Sequence, residues 1–103
     1  MKTNLEIVWL KQCVKDFQDF DEDELVKVDS KLRSVLSQLY QNTSRVEGTD
    51  LRRLRIGQKR LFLRVIENRV YCVGYKSRDK AYNNKQLKEM DKLIKKILLG
   101  QGL

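Results

Sequence analysis

The sequence contains no histidine and no proline, and only two cysteines and five glycines. Without histidine there is no ordinary general base, no commonest metal ligand and no Ser/His or Cys/His device. Cys13 and Cys72 lack CxxC spacing, so no metal site is expected, and nothing argues for a disulfide framework. Both read as small core residues. The first apolar run, Leu5–Leu10, is short and contains Glu6, which does not make a signal peptide. No apolar stretch approaches the ~20 residues that span a bilayer. The absence of proline and the scarcity of glycine exclude collagen-like and linker-rich chains. A cytoplasmic protein of one domain, residues 1–103, is the expectation, with no membrane partner and no cofactor.

What the chain does have is charge, unevenly spread. Lys+Arg number 22 against 14 Asp+Glu, for a net charge of +8. Residues 1–50 carry 7 basic and 10 acidic side chains, whereas residues 51–103 carry 15 basic and 4 acidic. The basic half points to an anionic partner, since summed charge governs which molecules a surface attracts.

Apolar periodicity sets the elements. Leu5–Leu10 reads as a strand and Lys11–Phe20 as a short helix. The acidic run Asp21–Glu24 opens a second helix with Leu25, Val28, Leu32, Val35, Leu36 and Leu39 on one stripe, acidic residues suiting a helix N-terminus. Gln41–Asp50 reads as a loop. Leu51–Ile56, Arg60–Ile66 and Arg69–Tyr75 follow as antiparallel strands joined by Gly57-Gln58 and Glu67-Asn68. Asn83–Leu98 forms a terminal helix with Leu87, Met90, Leu93, Ile94 and Ile97 on one side. The fold class is α+β: an N-terminal strand, two helices, a three-stranded antiparallel meander and a C-terminal helix.

Two-residue turns fix a register. Arg55 then faces Arg60, Leu54 faces Leu61 and Arg53 faces Phe62. In the second hairpin Arg64 faces Tyr71, Phe62 faces Val73 and Arg60 faces Tyr75. Alternation sends Leu54, Leu61, Leu63, Val65, Val70 and Cys72 to a core face. The other face collects Arg53, Arg55, Arg60, Phe62, Arg64, Tyr71 and Tyr75. Arg55 opposite Arg60 costs ~0.2–1 kcal/mol unless an anion sits between them. Arginine forks grip phosphate, and aromatic rings among them stack on bases. A nucleic-acid face is the expectation, with Lys76, Arg78 and Tyr82 added by the loop after the third strand.

The run Asp50-Leu51-Arg52-Arg53-Leu54-Arg55-Ile56-Gly57-Gln58-Lys59-Arg60-Leu61-Phe62-Leu63 resembles the central hairpin of RelE/ParE-family toxins of toxin–antitoxin pairs. Val73–Tyr82 is similar to that family's later glycine–basic–tyrosine segment. The likeness is specific from Leu51 to Tyr82. It implies a type II toxin. In the RelE-like branch that toxin is a ribosome-dependent endoribonuclease that cuts mRNA in the A site, and its partner is an acidic antitoxin. By position, Arg60 matches the arginine at the scissile phosphate, Arg53 and Arg55 the paired basic positions before it, and Tyr82 the tyrosine near the last helix. Either Lys76 or Arg78 matches the basic residue after the glycine, and the resemblance leaves the choice between them open. Tyr75 stands where several relatives have histidine, which excludes a histidine-based scheme. RNA-binding positions are then Arg53, Arg55, Phe62, Arg64, Tyr71 and Tyr75. Attack by a 2′-oxygen on its phosphate needs charge neutralisation and proton transfer but no metal. Two other readings stay open: a ParE-like inhibitor of DNA gyrase, and a non-catalytic domain that binds RNA or the ribosome.

Overall fold

A computed structural model describes residues 5–77 and 82–100, with the side chains of 97–100 excepted. The chain forms β1 (Glu6–Trp9), α1 (Lys11–Asp16), a 3₁₀ turn (Phe17–Asp19) and α2 (Glu24–Val35). After a second 3₁₀ turn (Leu36–Gln38) come α3 (Leu39–Asn42), β2 (Ser44–Arg45), β3 (Arg52–Ile56), β4 (Lys59–Ile66), β5 (Arg69–Ser77) and α4 (Asn84–Gly100). The strands make one mixed sheet in the order β1-β5-β4-β3-β2, with β1 parallel to β5 and the other pairs antiparallel. The α+β expectation holds. Two details differ: the expected loop Gln41–Asp50 contains the end of α3 and the edge strand β2.

Helices cover both faces of the sheet, because both faces are apolar over most of their length. On one face Leu54, Leu61, Leu63, Val70 and Cys72 pack with Val28, Leu32 and Val35 of α2 and with Cys13 and Phe17. Burial raises both thiols above their ordinary range, so they stay protonated core groups. On the other face Leu51, Phe62, Tyr71 and Val73 pack under Leu87, Met90 and Ile94 of α4. Leu93, expected on the same apolar side, remains 45% exposed. The helix begins at a capping box: Asn83 Oδ1 accepts from the Gln86 N–H at 2.8 Å, and Gln86 Oε1 accepts from the Asn83 N–H at 3.0 Å. Arg64 reaches up from the sheet to Asp91 of α4 at 3.0 Å, with its side chain only 15% exposed.

The first hairpin has the expected register, Arg53↔Phe62, Leu54↔Leu61 and Arg55↔Arg60, with Gly57 at φ +63°. Glu67 opens the second turn at φ +55°, in the left-handed region that side chains resist.

The second hairpin departs from expectation at its middle. Arg64 faces Tyr71 and Leu63 faces Cys72, but Phe62 then faces Gly74, Leu61 faces Tyr75 and Arg60 faces Lys76. Val73 is the extra residue of a β-bulge, so Val73 and Gly74 both lie toward α4. Everything beyond is turned over by one residue. Tyr75 therefore enters the core under α1 and α2, where it is fully buried and stacks on Phe17 at 4.4 Å.

Inside that core, the Tyr75 hydroxyl donates to Glu24 Oε2 at 2.5 Å, and Lys59 Nζ reaches the same oxygen at 2.7 Å. The Lys59 hydrogen bond, then that of Tyr75, holds the Glu24 carboxyl below its ordinary value of 4.5. A folded-state value below the unfolded one gives stability that is present above pH 4.5 and is lost as pH falls through the lower folded value. Glu24→Gln should cost about 1.5–3 kcal/mol at neutral pH, the range for hydrogen bonds to a charged group. Urea unfolding of both proteins should show that gap shrinking as pH drops below 4.5. A gap that stays constant down to low pH would remove this role from Glu24.

Candidate nucleic-acid interface

The bulge composes the site. Arg55, Arg60 and Lys76 stand side by side across β3, β4 and β5, on the α4 side of the sheet and past the bulge. Directly paired residues share a face, so three cations lie in one row. A cleft of about 150 Å³ opens between Arg55, Gly57, Gln58 and Arg60 at the hairpin tip. Arg55 is exposed, and Arg60 and Lys76 are partly so. Arg53 continues the basic track toward α4. Its Nε is buried without a hydrogen-bond partner among the described residues. A wider concavity, about 580 Å³, lies at the other end of β4, between Leu5, Leu36, Leu39, Tyr40 and Val65, and shares no residue with the row.

Tyr82 lies over the end of the row. Its ring meets Phe62 edge-on at 5.5 Å and Lys76 Nζ at 5.3 Å. Its hydroxyl donates to Asp16 Oδ2 at 2.5 Å. Asp16 Oδ2 also accepts the Tyr75 backbone N–H at 2.9 Å, and Asp16 Oδ1 lies 3.3 Å from Lys76 Nζ. The carboxylate can reach all three groups because β1 ends opposite Cys72, which leaves the β5 edge uncovered beyond that point. Asp16, at the end of α1, caps that edge. Burial first, and then the Asp16 bond and charge, push the Tyr82 phenol above its ordinary range.

Several expected contact residues belong elsewhere. Phe62 and Tyr71 are buried beneath α4, 2% and 7% exposed, because the second face carries an apolar patch that needs a helix. Arg64 is held by Asp91 and, at 3.5 Å, by Asp50. Tyr75 sits on the opposite face through the bulge. The open aromatic–arginine face is thus corrected to a basic row at one end of a covered face. Arg78 lies outside the described residues. Asp16 escaped the sequence reading, since its partners stand 59 and 66 residues away along the chain. One signal was present: Gly74, a glycine inside a strand, marks a bulge or a close approach.

Gly74 is in fact both. A Cβ there would sit 2.8 Å from the Tyr82 ring and from Met90 Cε, and 2.9 Å from the Tyr82 hydroxyl oxygen. Met90 is flexible and can yield, whereas the ring is wedged against Phe62. Gly74→Ala should therefore lift Tyr82 off Asp16 at a cost of about 1–3 kcal/mol, the range for overpacking a filled site. Urea unfolding reads the cost, and loss of the Tyr82–Gly74 nuclear Overhauser contacts reads the displacement. Wild-type stability with the contacts retained would contradict this packing.

No protein-family model matches the chain, and no curated protein matches it. Solved structures do. A double arginine-to-alanine mutant of the Escherichia coli toxin RelE, in the free state, superposes with a TM-score of 0.66 at 16% identity, covering 88% of this chain and 98% of that one. A RelBE toxin–antitoxin complex from Mycobacterium tuberculosis gives 0.64 at 13% identity, over 72% of this chain and 98% of that one. The RelB–RelE antitoxin–toxin complex of Methanococcus jannaschii gives 0.56 at 14% identity, over 80% of this chain and 95% of that one. These identities speak to architecture alone, and the architecture of this chain is the RelE toxin fold.

Proposed function

We propose that this chain is the toxin of a toxin–antitoxin pair and acts as a ribosome-dependent endoribonuclease on mRNA. The observation that carries the reading is the row Arg55–Arg60–Lys76 with Tyr82 closing one end, set on a RelE-like fold. Adjacent like charges on a sheet are unfavourable by ~0.2–1 kcal/mol each, and a phosphate chain lying along the row reverses that sign. Arg60 and Lys76 take the scissile phosphate, and Arg55 and Arg53 take its neighbours. Tyr82 is the proton carrier in a chain without histidine.

The reaction is attack of a ribose 2′-oxygen on the adjacent phosphorus, with loss of the 5′-oxygen. Its products are a 2′,3′-cyclic phosphate and a 5′-hydroxyl end. Preorganised cations stabilise the charge that builds on the phosphorane. In-line geometry must come from outside, since a shallow row of side chains grips a flexible strand on one side only. A ribosome that holds the message in its A site supplies that geometry, which places the reaction in the cytoplasm. The partner that silences it is an acidic antitoxin, drawn to a chain of net charge +8.

Incubation with programmed ribosomes, followed by primer extension, should reveal cuts in A-site codons and almost none in free RNA. Arg60→Ala should lower the cleavage rate by about 10²-fold or more, the scale for removing one preorganised charge donor. Its melting should stay close to wild type, because Arg60 is not in either core cluster. Intact message together with inhibited DNA supercoiling would favour the gyrase-inhibitor reading. Binding to ribosomes with neither effect would leave a non-catalytic domain.

A further inference from the structure

One carboxylate, Asp16, holds both Tyr82 and Lys76. We propose that Asp16 is its positioning residue: it fixes the Tyr82 hydroxyl and the Lys76 ammonium in one cluster and receives the Tyr82 proton during strand scission. This rests on the endoribonuclease reading above.

The geometry argues for a permanent fixture. Asp16 Oδ2 accepts from both the Tyr82 hydroxyl and the Tyr75 backbone N–H, and Oδ1 faces Lys76 Nζ. The Asp16 side chain is only 12% exposed. A substrate phosphate that displaced it would leave the Tyr75 N–H unpaired at a buried strand edge, which costs about 1–3 kcal/mol. Asp16 therefore stays in place when a strand binds and acts from behind Tyr82.

The chemistry also requires it. A phenol that is half-buried and already bonded to a carboxylate resists becoming a free phenolate. Tyr82 can take a proton only if it releases its own in the same event, and the acceptor 2.5 Å away is Asp16. The 2′-hydroxyl proton passes to the Tyr82 oxygen, the Tyr82 proton passes to Asp16 Oδ2, and the 2′-oxygen closes on phosphorus. As the P–O5′ bond breaks, Lys76 gives one proton to the departing 5′-oxygen. Protonated Asp16 Oδ2 then gives its proton to solvent and Lys76 takes one back from solvent, which restores the carboxylate and the ammonium. Every proton is accounted for, and the site ends as it began.

The test is single-turnover cleavage on programmed ribosomes across a concentration series, with wild type, Asp16→Asn, Asp16→Glu, Tyr82→Phe and the Asp16→Asn/Tyr82→Phe pair. Asp16→Asn keeps an oxygen for the Tyr75 N–H but cannot take a proton. It should lower the maximal rate by about 10²-fold or more, as loss of general acid–base help does, with the half-saturating concentration unchanged. Tyr82→Phe should match it, the pair should fall little further, and Asp16→Glu should recover part of the rate. A folded Asp16→Asn within threefold of wild type overturns the proposal, as do single losses that multiply in the pair. Should Asp16→Asn fail to fold, Tyr82→Phe and Asp16→Glu decide together: a wild-type rate in either overturns the relay, and a loss of about 10²-fold in Tyr82→Phe with an intermediate rate in Asp16→Glu supports it. Wild type that leaves message uncut overturns the endoribonuclease reading, and this one with it. Wild type that cuts alongside a folded Asp16→Asn that cuts within threefold of its rate overturns only this one.

Discussion

The β-bulge at Val73 decides what the sheet presents at its basic end. Without it, Tyr75 would stand beside Arg60 and Lys76 would point into the α1–α2 layer. One additional residue on β5 exchanges them. The aromatic ring goes to the core, where Phe17 and Phe20 receive it and Glu24 satisfies its hydroxyl. The ammonium comes out beside the two arginines. The same step leaves Gly74 facing α4, the only position on that stretch of strand whose lack of a side chain lets Tyr82 lie against the backbone. Row, tyrosine and carboxylate thus share one origin.

Two ionic clusters hold the layers around that end. Glu24 joins α2 to β4 through Lys59 and to β5 through Tyr75. Arg64 joins β4 to α4 through Asp91, which Lys95 also contacts at 3.3 Å. Each uses charge at a half-covered position, where water screens less and a lost partner costs more. The cations of these clusters are thereby taken out of the basic row. The row itself is made of Arg55, Arg60 and Lys76, with Arg53 beside it.

How far the sequence could be read follows from the range of each interaction. The first hairpin was legible to the residue, because Gly57 accepts the positive φ of a tight turn and strict alternation does the rest. The core stripe from Val28 to Leu39, along α2 and into α3, was equally plain. The second hairpin was legible only as far as Leu63, since alternation has no term for an inserted residue. Phe62 and Tyr71 looked like ligand contacts because arginines alternate with them. In three dimensions they answer the apolar stripe of α4, a helix that the strand pattern alone does not place. Asp16 left no local trace at all. A lone aspartate at the end of a short helix acquires meaning only when β5 and Tyr82 are folded against it.

The central claim is that the bulge sets Lys76, and not Tyr75, beside Arg60. Paired cysteines test it directly, with Cys13 and Cys72 buried and protonated and so slow to interfere. Under mild oxidation, Arg60→Cys with Lys76→Cys should cross-link rapidly, and Arg60→Cys with Tyr75→Cys should not. Rapid cross-linking of the 60–75 pair, with the 60–76 pair left reduced, would contradict the bulge and the site built on it.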